Sequence, residues 1–114
     1  MELETEILDD GITMIRLRGR MDMRGAQEID LKFTALTTTK QGGYIVDMSQ
    51  VDFLASIGIR TLLVSAKGAK ARGGRLVLFK PTDLVANVID MSGIIDILPV
   101  FHELDAARSA VAVS

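Results

Sequence analysis

Residues 44–79 read YIVDMSQVDFLASIGIRTLLVSAKGAKARGGRLVLF. Tyr44-Ile45-Val46-Asp47-Met48 is a short, mostly apolar run, the composition of a central strand buried on both faces. Ser49–Ala55 follows as a connection. From about Ile57 to Arg72, Ile59, Leu62, Leu63, Ala66 and Ala69 recur at helical spacing, while Arg60, Lys67, Lys70 and Arg72 point elsewhere. Gly73-Gly74 stops this helix, Leu76-Val77-Leu78-Phe79 is a further buried strand, and Pro81 closes it. Two apolar strands joined by an amphipathic helix are parallel neighbours in a right-handed crossover. The stretch predicts an α/β protein.

On the N-terminal side, Glu2, Glu4 and Glu6 alternate with Leu3, Thr5 and Ile7, the period of a half-buried strand. Asp9-Asp10-Gly11 signals a hairpin. The return strand puts Thr13, Ile15 and Leu17 on one face and Met14, Arg16 and Arg18 on the other, so one side is wet. A loop is expected around Gly19–Gly25, then a helix with Ala26, Ile29, Phe33 and Leu36 on one face. Thr37-Thr38-Thr39 weakens that helix and Gly42-Gly43 ends it. Beyond Pro81, Thr82 can cap a helix carrying Leu84, Val85, Val88 and Ile89 that ends at Gly93. Ile95–Phe101 holds a short strand broken by Pro99, and Glu103–Val113 forms a terminal helix. The expected architecture is one α/β domain over residues 1–114. A β-hairpin opens a mixed, mostly parallel sheet of four to five strands, covered by about four helices.

Composition removes several classes of function. Thirteen basic and 15 acidic residues give a formal charge of −2, which is no surface for coating nucleic acid. The absence of cysteine excludes disulfides, thiolate metal sites and cysteine nucleophiles. Met1-Glu2-Leu3-Glu4 is acidic where a signal peptide is basic, and no apolar run approaches the ~20 residues that cross a bilayer. The expectation is a cytoplasmic monomer without membrane attachment. The sole histidine, His102, falls at a strand-to-helix junction, where a capping role is expected.

No motif supports an enzyme. There is no Gly-x-Gly-x-x-Gly and no Gly-Lys-Ser/Thr, so nothing indicates a bound nucleotide, and no His/Asp/Glu spacing indicates a metal. Asp47 and Asp52 flank the central strand without evident catalytic partners, and Ser56 lacks a nucleophile-elbow context. Neither catalytic residues nor cofactors are expected. Ser56 nevertheless stands out at the hand-over from strand and loop to helix. It has two readings: an N-cap, worth ~1 kcal/mol, or an addressable hydroxyl on a contact surface. Ile57 offers apolar surface beside it, and Gly58 offers a site free of side chain that another surface could approach.

The segment Asp47-Met48-Ser49-Gln50-Val51-Asp52-Phe53-Leu54-Ala55-Ser56-Ile57-Gly58-Ile59 resembles the STAS family, specifically the small bacterial anti-sigma factor antagonists. Their signature is a strand, a polar loop, then Asp-Ser-Ser/Thr-Gly-Leu-Gly opening a helix. Gly19-Arg20-Met21-Asp22, Ala71-Arg72-Gly73-Gly74-Arg75-Leu76-Val77-Leu78 and Asp90-Met91-Ser92-Gly93-Ile94 resemble further family segments. The resemblance implies a STAS-type sandwich in which Ser56 is the phosphoacceptor. It also implies a partner, an anti-sigma factor with serine kinase activity, bound only by the unphosphorylated form, and a serine phosphatase that restores that form. Asp22, Arg24, Ser56, Ile57, Gly58 and Arg60 are the expected partner-binding residues. Ala55 and Ile57 depart from the family's Asp and Ser/Thr beside the phosphoserine. They keep open an alternative: a non-phosphorylated STAS assembly subunit of a stress-signalling complex or of an ABC lipid transporter.

Overall fold

The computed structural model describes residues 1–8, 10–38 and 42–112. In chain order the elements are β1 (Glu2–Ile7), β2 (Thr13–Met21), α1 (Met23–Thr38), β3 (Gly43–Leu54) and α2 (Ser56–Ala71). They continue with β4 (Arg75–Phe79), α3 (Asp83–Ser92), β5 (Val100–Phe101) and α4 (Leu104–Val111). The strands form one sheet in the order β1-β2-β3-β4-β5, antiparallel at β1/β2 and parallel at every other pairing. This is the expected hairpin followed by crossovers. At the hairpin, Leu8 N–H donates to Ile12 O at 2.8 Å and Gly11 takes a φ of +80°; Asp9 of the predicted turn lies outside the described residues, as do Thr39 and Val113.

The sheet has two apolar faces. On one, Ile15, Leu17, Val46 and Met48 pack with Ile29 and Phe33 of α1, Leu62 and Ala66 of α2, and Val85 and Ile89 of α3. Phe33 is fully buried, which contributes about 1.5–3 kcal/mol. On the other face, α4 sets Ala107 and Val111 against Met14, Ile45, Val77 and Phe79. Met14, expected on the wet face, is therefore buried by α4. The face does stay wet beside the edge strand, where Arg16 pairs with Glu6 at 2.8 Å and Arg18 with Glu2 at 3.4 Å.

Several expectations about the element boundaries need correction. Ser49–Ala55 is not a connection: β3 runs to Leu54 because β2 also extends, with Arg18↔Gln50, Gly19↔Val51, Arg20↔Phe53 and Met21↔Leu54 in register. Within residues 49–54 of that strand, Ser49, Gln50 and Asp52 are exposed and Val51 and Leu54 are buried. The loop expected at Gly19–Gly25 is correspondingly the end of β2 and the start of α1. The last strand is only Val100–Phe101, with turns before it. His102 caps nothing, because Glu103 is the N-cap of α4 and no side chain caps that helix. Elsewhere Thr82 Oγ1 accepts the Val85 N–H at 3.3 Å, and Gly93 closes α3 in the left-handed region, as expected. Thr37 and Thr38 lie in the last turn of α1. Their hydroxyls donate back to Phe33 O at 3.0 Å and Thr34 O at 2.6 Å.

Candidate functional site

Adjacent parallel strands deliver two helix starts to one edge of the sheet. β2 ends at Met21 and β3 at the register partner Leu54, and α1 and α2 begin two residues beyond these ends. Helix N-termini at the carboxyl ends of parallel strands are where α/β proteins present their sites, because the poles and free amides face outward there.

The α1 start is built by Asp22. Its Oδ1 accepts the Gly25 N–H at 2.8 Å, and its Oδ2 lies 3.4 Å from Arg20 Nε. The Gly25 amide first, with Arg20 adding, holds the Asp22 carboxyl below its ordinary range. A Cβ on Gly25 would run into the Arg20 carbonyl, so only glycine lets the chain turn this tightly. Arg20 also lies 4.3 Å from the centroid of the Phe53 ring, a cation–π contact across β2 and β3.

The α2 start is built differently. Ala55 is its N-cap, in the extended conformation such a residue needs (φ −94°, ψ 169°), but it has no side-chain oxygen to cap with. Ser56 is the first helical residue, so the N-cap reading of Ser56 is corrected. Its side chain is exposed and its hydroxyl has no hydrogen-bond partner among the described residues. The positive pole of α2 is thus uncapped beside a free hydroxyl.

The other predicted residues divide. Ile57 is half-buried against the main core, and with Arg60 it lines a shallow groove against Ala26, Gln27 and Asp30 of α1. Arg60 stays exposed one turn after Ser56. Arg24 is exposed in the first turn of α1, next to the Asp22 cap. Gly58 is not open to an approaching surface: a Cβ there would lie 2.8 Å from both Leu54 Cδ1 and Met21 Cγ, and 3.0 Å from Met21 O. Its missing side chain admits α2 to the strand ends. Met21 and Leu54 complete this arrangement, and sequence reasoning missed them because it took both segments for loops. Their signal was the alternation Arg18-Gly19-Arg20-Met21-Asp22 and Gln50-Val51-Asp52-Phe53 leading into them.

Asp47 is structural: its Oδ1 accepts the Ser49 N–H at 2.9 Å. Among the described residues, no group of three or more His, Asp or Glu side chains is placed to hold a metal ion, and no helix is long and apolar enough to cross a membrane. The arrangement can present a hydroxyl on an electropositive helix start for modification by another protein. It brings no base to that hydroxyl.

A family model described as the STAS domain matches residues 4–107. The protein BtrV of Bordetella bronchiseptica, provisionally named an anti-sigma factor antagonist, is 28% identical over 101 residues, 89% of this chain and 87% of that protein. Among solved structures, an anti-sigma factor antagonist from Mycobacterium paratuberculosis superposes with a TM-score of 0.81 at 22% identity, over 96% of this chain and 94% of that one. The antagonist SpoIIAA in its unphosphorylated form gives 0.77 at 22% identity, over 96% of both chains. Its phosphorylated form gives 0.69 at 23% identity, over 96% of this chain and 99% of that one. At these identities the structural likeness is one of fold.

Proposed function

The chain belongs to the STAS domain family, and we propose that within it the protein is an anti-sigma factor antagonist whose partner binding is switched off by phosphorylation of Ser56. The carrying observation is the free, exposed hydroxyl at the first residue of an uncapped helix. The partner is an anti-sigma factor that is also a serine kinase, as the names of the relatives and the exposed acceptor together suggest. Its binding to the unmodified protein frees a sigma factor. The kinase brings ATP, a magnesium ion and the base. Ser56 Oγ bonds to the γ-phosphorus as the bond to the β-phosphate oxygen breaks, ADP leaves, and the hydroxyl proton passes to the kinase. A phosphatase reverses the modification.

The electrostatics separate fold from binding. A phosphate adds about −1.5 to −2 charges. At the start of α2 the helix pole favours such a charge, by ~0.3–1 kcal/mol for an ordinary anion, and Arg60 stands one turn away. The domain therefore tolerates it. A docked partner does not, since a charge left unpaired in an interface costs ~2–5 kcal/mol. At ~1.4 kcal/mol per decade, affinity falls roughly 10²- to 10³-fold or more. Ile57, Arg60, Asp22 and Arg24 flank the hydroxyl as the remaining contact surface, with Gly58 acting from below by fixing where α2 begins.

The test is intact mass measurement after incubation with candidate anti-sigma kinases and ATP, with the modified residue mapped. One phosphoryl group on Ser56 is expected, none on Ser56→Ala, and weak kinase binding by Ser56→Asp. Label on Ser56→Ala, or equal binding of modified and unmodified protein, would overturn the reading.

A further inference from the structure

We propose that a second site, at the opposite end of α2 from Ser56, binds a small amphiphilic anion: a carboxylate or phosphate carried on an apolar body. The site is a cleft of about 560 Å³ between the C-terminal half of α2, the start of β4 and the turn before β5. Its size falls within the roughly 300–1,000 Å³ of ordinary ligand pockets. At ~1.5 Å per helical residue, Lys70 lies roughly 20 Å along α2 from Ser56, so the two sites are separate.

The rim is cationic. Lys67, Lys70 and Arg75 line the cleft against one acid, Asp96, in a protein whose overall charge is −2. None of the four has an ion-pair partner among the described residues. The pole at the end of α2 is worth about −0.5 charge, which does not cancel the excess. The last carbonyls of α2 are also occupied by the turn that follows: Ala69 O accepts the Gly74 N–H at 2.9 Å and Lys70 O the Gly73 N–H at 3.0 Å. Lys67 and Lys70 are not needed there.

The floor supplies a directional donor. Leu76 as a whole residue is only 2% exposed, so its main chain lies at the base of the cleft rather than on its rim. Leu78 N–H donates to Pro99 O and Lys80 N–H to Phe101 O, both at 2.9 Å. The two-residue alternation of a strand puts the Leu76 N–H on that same outer edge. β5 pairs only with Leu78 and Phe79, so it stops short of Leu76. No described residue accepts the Leu76 N–H. An unpaired backbone donor at the base of a cleft lined by three cations and one acid is a seat for an anionic oxygen. Beside it Pro99 and the half-exposed Ile97 form an apolar wall, which is why the anion should carry an apolar body rather than be free phosphate.

The test is a titration of the whole chain, followed by backbone amide NMR shifts, with octyl phosphate and octanoate below their micelle concentrations. Inorganic phosphate and octanol are titrated in parallel, and all four probes are repeated on Lys67→Gln/Lys70→Gln/Arg75→Gln. These three side chains are exposed, so the variant keeps its spectrum elsewhere. Saturable shifts at Leu76 and Ile97 with either amphiphile, weakened at least about tenfold in the variant and with each control, are expected. No saturable shift, equal response to phosphate or to octanol alone, or undiminished binding by the variant would each overturn the proposal. None of these outcomes bears on Ser56, so this site and the phosphorylation reading stand or fall separately.

Discussion

The carbonyl oxygen of Met21 accepts the amide of Ala55 at 3.0 Å. This bond joins the last residue of β2 to the residue immediately before Ser56, across 34 positions of sequence (55 − 21). It fixes where α2 begins, and hence where the Ser56 hydroxyl stands relative to Asp22 and Arg24 at the start of α1.

The closest packing at this junction is at Gly58. An added methyl would contact Leu54 Cδ1, Met21 Cγ and Met21 O within 3.0 Å. Gly58→Ala should therefore destabilise by about 1–3 kcal/mol, despite alanine's better helix propensity, and Gly58→Val by more. Urea unfolding measures this. An alanine variant more stable than the parent would mean that α2 does not rest on the strand ends.

Ala55 has the backbone conformation of an N-cap without the side chain to act as one. Ala55→Asp supplies an acceptor for the free amides of the first turn and a favourable charge at the helix pole. Stability should rise by about 0.5–2 kcal/mol, read as a higher Tm. An unchanged Tm would show that the first-turn amides are already satisfied.

Asp22 gives a pH signature. The Gly25 amide and Arg20 hold its folded pKa below the ordinary 3.8, so the unfolded chain takes up the proton first as pH falls. The stability this carboxylate adds is fully present well above 3.8 and is lost as pH drops through the lower folded value. Asp22→Asn should lower Tm at neutral pH, and the gap to the parent should narrow below pH 3.8. A gap independent of pH would assign the effect to shape rather than charge.

Ser65 is fully buried on α2 and its Oγ has no hydrogen-bond partner among the described residues. The neighbouring buried hydroxyls of Thr37 and Thr61 do bond, to Phe33 O and Ile57 O at 3.0 and 3.1 Å. Removing an unsatisfied polar atom without enlarging the site is neutral or favourable. Ser65→Ala should leave stability unchanged or raise it by up to about 1 kcal/mol in urea unfolding. A clear loss would reveal a partner for that hydroxyl.

The sequence by itself determined the alternation of strand and helix, the parallel crossovers, the Gly-Gly stop after α2, the caps at Thr82 and Gly93, and the prominence of Ser56. Each depends on residues within one or two turns of each other, whose spacing is written directly in the chain. Tertiary structure decided how far β2 and β3 extend, that Ala55 rather than Ser56 is the cap position, that Gly58 faces inward, and that the short β5 leaves part of the edge of β4 unpaired. Those outcomes come from pairing and close approach between segments distant in sequence, where polar residues such as Ser49, Gln50 and Asp52 can be the outer face of a strand. The physical reason is that periodicity encodes which way a residue points, whereas register and contact depend on what another segment brings to meet it.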